Sequence, residues 1–216
     1  MTSLISLNPA AEAWTWVDPK AASTATGPAP PSVLAFHQTL PDYAPSPLHT
    51  FPTIARDLGL GHVLIKDESR RFGLPSFKIL GASWAVHRAV AAHVGAAPET
   101  PGSELGMRAR SAGVRIVTPT AGNWGRAVAR MAKNLGVPAT VFVSALMPKA
   151  TKDAIASEGA EVVSVPGSYD DSLVAATEEA RKGTSLLILD VGMDGYEEIP
   201  KVRMARQWIA GDLVVY

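Results

Sequence analysis

Lys78 is the first residue whose setting suggests chemistry. It lies in the stretch Lys66–Val86, KDESRRFGLPSFKILGASWAV. Pro75 and Ser76 read as a helix start, because a serine hydroxyl caps free N–H groups and proline resists the helix interior. Lys78 then falls in the first turn, where the positive end of the helix dipole opposes a cation. The same field favours the free amine, the form that attacks an aldehyde to make a Schiff base. Phe77, Leu80 and Trp84 follow at i, i+3 and i+7, a spacing that predicts one shared helix face. Ordinary helix lysines are solvated surface groups, so this stretch alone does not make Lys78 catalytic.

A second stretch, Thr118–Arg130 (TPTAGNWGRAVAR), follows the apolar run Val114–Val117. The order is strand, glycine-rich turn, amphipathic helix, and backbone N–H groups in such a turn can hold an anion. The plainer alternative makes Asn123 a helix N-cap and the glycines mere turn formers. A helix N-terminus can do both.

Together the two stretches resemble the fold-type II pyridoxal-phosphate (PLP) enzymes, the tryptophan synthase β superfamily. In that family a Ser-x-Lys segment carries the Schiff-base lysine, and a Ser/Thr-x-Gly-Asn segment grips the substrate carboxylate and the cofactor ring. Here these are Ser76-Phe77-Lys78 and Thr120-Ala121-Gly122-Asn123. Lys66–Ser69, Arg71–Leu74, Gly122–Arg126, Tyr169-Asp170-Asp171 and Gly195–Pro200 are similar to segments of the diaminopropionate ammonia-lyases. The likeness runs from about Phe36 to Pro200, and several motifs in order are more specific than any one.

The resemblance implies an α/β fold of three layers, helices on both sides of a mainly parallel sheet. It also implies PLP as cofactor and α,β-elimination of 2,3-diaminopropionate to pyruvate and ammonia. Lys78 would carry the cofactor and take the α-proton. Asn123 would donate to the cofactor's 3′-oxygen. Thr120, Ala121, Gly122 and Asn123 would form the substrate-binding segment. Asp190 matches a second acidic position that could contact the distal amine; a strand-end turn cap is the alternative for it. Two positions depart from the family. Ala121 stands where these lyases carry an Asp thought to serve the D-isomer, and Trp124 stands where they have His. A Trp cannot shuttle protons, so it is expected only to pack. Other β-eliminating relatives such as serine/threonine dehydratases, and a non-catalytic remnant or partner-binding protein, are the alternative functions.

The elements must position these residues. Residues 1–35, rich in Ala, Pro, Ser and Thr, predict a loosely ordered arm, with Trp14 and Trp16 as possible anchors. Residues 36–90 are expected to begin a large PLP domain. Within them, Phe36–Thr53 reads as extended and irregular, Ile54–Leu58 as a short helix and Val63–Lys66 as a strand. Residues 91–190 are expected to form a small α/β domain, opening with a surface connection over Ala91–Ala112 that could be partly helical. Apolar runs at Val114–Val117, Ala139–Val143, Glu161–Val165 and Leu186–Leu189 alternate with helical segments at Trp124–Leu135, Lys149–Glu158 and Asp170–Lys182. Near-continuous apolar strands between amphipathic helices predict a parallel sheet covered on both faces. Residues 191–216 are expected to return towards the large domain. After Pro200 the likeness fades, and the glycine-rich phosphate loop that the resemblance implies is not visible, which suggests a truncated chain and an incomplete large domain.

Composition narrows the alternatives. The 216 residues are 47% hydrophobic with a formal net charge of +0, giving no reason to expect nucleic acid or an anionic membrane surface as partner. The expected partner is a small amino-acid substrate, with a homodimer if a longer form exists. There is no cysteine, so thiolate metal sites and disulfides are excluded. No apolar run approaches the ~20 residues that span a bilayer, and no secretory signal pattern is visible, so a cytoplasmic location is expected. His37, His49, His62, His87 and His93 lack metal-ligand spacing, so no metal is expected. No G-x-G-x-x-G follows a strand, and Ser76-Phe77-Lys78 is not the S-x-x-K of β-lactamases.

Overall fold

The computed structural model describes residues 31–183 and 185–192. Helix α1 (Pro31–Gln38) leads into an antiparallel pair, β1 (Leu48–Thr50) with β2 (Leu64–Lys66), joined through α2 (Pro52–Asp57). Then come α3 (Lys78–His93), α4 (Gly102–Ser111), β3 (Arg115–Pro119), α5 (Asn123–Leu135), β4 (Ala139–Ser144), α6 (Lys149–Ala156), β5 (Glu161–Val165), α7 (Tyr169–Ala180) and β6 (Ser185–Leu187).

Strands β3 to β6 form one parallel sheet in the order β5-β4-β3-β6. Alternation along each strand sends side chains to opposite faces. On one face Ile116, Val141 and Val143 pack with Ala127, Val128 and Met131 of α5 and with the buried residues of α3. On the other, Val117, Phe142 and Leu187 pack with Ala175, Ala176 and Ala180 of α7. Helices thus cover both faces, as the apolar runs predict. At ~1.5–3 kcal/mol for each fully buried aliphatic side chain, this core supplies most of the gross stabilisation. Val128, Met131 and Leu135 form the buried stripe expected of α5.

Several local expectations are corrected. Of the two readings of Ala91–Ala112 the partly helical one holds: the stretch contains the end of α3 and all of α4. Phe36–Thr53 contains the end of α1 and strand β1, and residues 31–35 are helical, with Val33 in the core. Phe77 is 43% exposed and does not join Leu80 and Trp84 inside. It precedes the helix, and α3 is buried around nearly its whole girth, so no single stripe describes it. Trp14, Trp16, Gly195–Pro200 and Lys201–Tyr216 lie outside the described residues.

The Lys66–Leu74 motif builds a support. The Arg71 side chain is fully buried and grips Glu68 through both ends of its guanidinium, at 2.6 and 2.9 Å. It also donates to the Ala44 carbonyl (3.1 Å) and to the Ser46 hydroxyl (2.9 Å), while Lys66 donates to the Ser46 carbonyl at 2.7 Å. A second network joins α5 to its surroundings. Arg126 and Arg130 both reach the buried Glu158 carboxylate, and Arg130 also donates to the Phe72 carbonyl at 3.0 Å. Burial pushes the Glu158 carboxyl up, but hydrogen bonds from the two arginines outweigh it and hold the group below the usual range.

Candidate active site

The chain order of the sheet makes a crevice. From β3 the chain moves through α5 to β4 on one side, while β6 lies on the other side of β3. Helix α5 covers one face, and α7, which carries the chain from β5 across to β6, covers the other, so the strand order reverses beside β3. Open α/β sheets bind ligands at this kind of switch point, beyond the carboxyl ends of the strands.

Four separate segments meet there. Lys78, the residues Thr120–Trp124, Tyr169, Asp190 and Val191 line a cavity of about 440 Å³. Lys78 opens α3, and its backbone N–H is received by the Ser76 hydroxyl at 3.1 Å, so Ser76 helps to start the helix as expected. The Lys78 Nζ lies 3.5 Å from Asp190 Oδ2, with the two side chains 34% and 19% exposed.

The turn after β3 is held by Thr120. Its hydroxyl accepts from the N–H groups of Gly122 and Gly125, each at 2.9 Å, so Thr120 does the capping that the sequence suggested for Asn123. Gly122 is the N-cap position and Asn123 is the first helical residue. Thr120 is 2% exposed, and its side chain serves the turn. Gly125 permits this closeness: a β-carbon there would come within 2.8 Å of Thr120 Cβ and 2.9 Å of Val141 Cγ1. Ala121 and Asn123 are exposed, and the Asn123 side chain makes no hydrogen bond among the described residues.

Trp124 is buried as expected, yet it does more than pack. Its indole N–H donates to Thr118 Oγ1 at 3.1 Å. Tyr169 is a cavity residue to which the sequence gave no role. Burial pushes its phenol up, and the charges of Asp190 and Asp170 push the same way, so it stays a neutral donor. Its position follows from the Ser168 cap: the Ser168 hydroxyl accepts from the N–H groups of Asp170 and Asp171, and Asp171 accepts from the Ser168 N–H at 2.6 Å. That Ser-x-x-Asp box was the available signal that a helix, and with it Tyr169, begins at the rim.

The family described as pyridoxal-phosphate dependent enzyme matches residues 39–205. This chain belongs to that family. Among curated relatives, a diaminopropionate ammonia-lyase of Salmonella typhimurium is 40% identical over 180 residues, covering 78% of this chain and 43% of its own length. Among solved structures, the apo form of Escherichia coli diaminopropionate ammonia lyase superposes with a TM-score of 0.75 at 32% identity, covering 81% of this chain and 48% of that one. The same enzyme in complex with an aminoacrylate-PLP azomethine reaction intermediate gives a TM-score of 0.73 at 30% identity, covering 83% and 45%. This PLP-family chain therefore spans less than half the length of the relatives it matches. Its α/β architecture is the fold-type II architecture expected from the sequence.

Proposed function

We propose that this chain binds pyridoxal 5′-phosphate covalently at Lys78 and serves α,β-elimination of 2,3-diaminopropionate. One diaminopropionate and one water give one pyruvate and two ammonia. The observation that carries this reading is the convergence of Lys78, Asp190 and the Ala121–Asn123 turn, from three distant segments, on one cavity. The donor set fits the cofactor: an amine beside a carboxylate, an exposed amide, and a helix start that favours anions. When bound, the cofactor draws electrons from the substrate's α-carbon.

The chain's own residues divide the remaining work. Lys78 Nζ is the attachment atom and then the acceptor of the α-proton, with Asp190 holding it towards the cavity. The Asn123 amide would hold the cofactor ring, donating to its 3′-oxygen. The backbone of the Ala121–Asn123 turn receives the substrate carboxylate, with Thr120 shaping that turn. The second carboxylate role, contact with the distal amine, also falls to Asp190. Tyr169 offers a neutral hydroxyl at the same wall. A cytosolic setting suits an amino-acid substrate and a cysteine-free chain.

Other lysines are worse placed. Lys66 is tied to the Ser46 carbonyl, and Lys149 is an exposed partner of Asp153. Borohydride reduction of the chain with pyridoxal 5′-phosphate, followed by peptide mass mapping, should locate the label on Lys78. Lys78→Arg should remove the label and lower pyruvate formation from L-2,3-diaminopropionate about a thousandfold or more, as expected on losing a covalent nucleophile. A label on Lys66 or Lys149 in the parent chain defeats the assignment.

A further inference from the structure

We infer that Trp124 is a positioning residue for Asp190, acting through a buried relay across the floor of the crevice. This rests on the function proposed above. The indole N–H of Trp124 donates to Thr118 Oγ1 at 3.1 Å and lies 3.4 Å from the Ile188 carbonyl oxygen. The Thr118 hydroxyl in turn donates to that same Ile188 oxygen at 2.6 Å. Thr118, Trp124 and Ile188 are all buried, at 0%, 2% and 0% exposure.

The three members belong to the three segments that separate at the crevice. Thr118 is near the end of β3, Trp124 is in the first turn of α5, and Ile188 follows β6. The Ile188 N–H is also fixed, donating to the Val117 carbonyl at 2.9 Å. Both polar groups of the Ile188 backbone are therefore pinned to β3 or its neighbours. Two residues later the chain presents Asp190 to Lys78. The relay fixes an anchored point two residues before that carboxylate, so it limits how far Asp190 can drift from Nζ.

A smaller apolar ring keeps part of the buried contact without making the relay. A phenylalanine at 124 removes the indole donor and the second ring, while Thr118 still donates to Ile188. The fold should survive such a change, while the tether of the Asp190 segment loosens. Satisfied buried networks fix one arrangement in this way, and a network with one member missing admits others.

The test uses the initial rate of borohydride-trapped pyridoxal 5′-phosphate labelling at Lys78, measured in the full chain. Trp124→Phe and Thr118→Val should each slow labelling about threefold to tenfold, the scale of one lost hydrogen bond, with native circular dichroism retained. The double variant should be no slower than the worse single one, because both changes break the same relay. In an Asp190→Asn background, Trp124→Phe should change the rate by less than about twofold, since the group being positioned is gone. An equal loss in both backgrounds would show that Trp124 acts on the fold at large and would overturn the inference alone. No loss with Trp124→Phe would also overturn it, as would failure of both single variants to fold. A parent chain labelled elsewhere than Lys78 would overturn the inference together with the function on which it rests.

Discussion

Two polar regions of this molecule arise from the same group of motifs and are built in opposite ways. Around Arg71 the network is closed: Nε, Nη1 and Nη2 all have acceptors, and the side chain is fully buried. Around Lys78 the network is open. The amine has a carboxylate at 3.5 Å, a third of the side chain meets solvent, and the nearby Asn123 amide side chain makes no hydrogen bond among the described residues. Residues that resemble a family equally well therefore do different jobs. A saturated group stabilises the fold, whereas an unsaturated group at a strand-end crevice is available for a ligand.

The largest effect should follow from opening the closed region. Arg71→Ala leaves the half-buried Glu68 without its guanidinium partner and takes the donor away from the Ala44 carbonyl and the Ser46 hydroxyl, and should cost about 3–5 kcal/mol. Asn123→Ala, at the open region, should change stability by less than about 0.5 kcal/mol while speeding loss of pyridoxal 5′-phosphate. Urea midpoints and cofactor retention on a desalting column measure the pair. The comparison breaks if Arg71→Ala costs less than Asn123→Ala.

A smaller effect sharpens it through pH. His37 lies beside the closed region, fully buried, with Nε2 2.9 Å from the Leu80 carbonyl oxygen. Burial lowers its pKa from 6.5 to about 4; the Leu80 hydrogen bond opposes this, and the Arg71 charge adds to it. Between those values the unfolded chain binds a proton that the folded chain refuses. Stability is thus intact above pH 6.5 and falls as pH drops towards 4. At ~1.4 kcal/mol per pH unit the loss is about 3 kcal/mol. Glu68 and Glu158, both held below the usual range, add their losses at lower pH still. Denaturant unfolding between pH 8 and pH 4 should show the first decline, and His37→Gln should flatten it. An unchanged decline in that variant would assign it to other groups.

What the sequence made legible follows the same division. The parallel core could be read because β-rich apolar runs and helical stripes depend on local periodicity, and α5 shows this most clearly. Helix α4 could not, because Gly102 and Gly106 weaken its helical signal. Gly106 has a packing reason: a β-carbon there would come within 3.2 Å of the Leu135 backbone carbon. Helix α3 is buried all round, so the expected Phe77 stripe had nothing to select it. At the candidate site, Lys78 and the Thr120–Asn123 turn were visible as local patterns. Their meeting with Asp190 was suggested only by resemblance, since no spacing rule links residues so far apart. The cap at Thr120 was missed because its hydroxyl reaches forward to Gly122 and Gly125, past the Asn that usually earns that role.

A change at Ala121 should cost the fold nothing, and it tests the open region most directly. Ala121 is exposed at the cavity, just before α5. An Asp placed there meets no buried neighbour to displace and sits at the favourable end of the helix dipole. Ala121→Asp should therefore leave stability unchanged or raise it by about 0.3–1 kcal/mol. The functional consequence should be larger. Asp190 and Lys78 approach the cavity from the β6 and α3 side, whereas residue 121 stands on the β3 turn. A carboxylate on that turn supplies a second proton acceptor, suited to the substrate isomer whose α-hydrogen points away from Lys78. The parent chain should favour L- over D-diaminopropionate. Ala121→Asp should raise D-isomer turnover by about tenfold or more, the lower part of what a positioned base contributes. Pyruvate release from each pure isomer measures the ratio. If the parent turns over both isomers equally, or if the variant leaves the ratio where it was, the turn is a binding element only and proton transfer belongs wholly to the opposite wall.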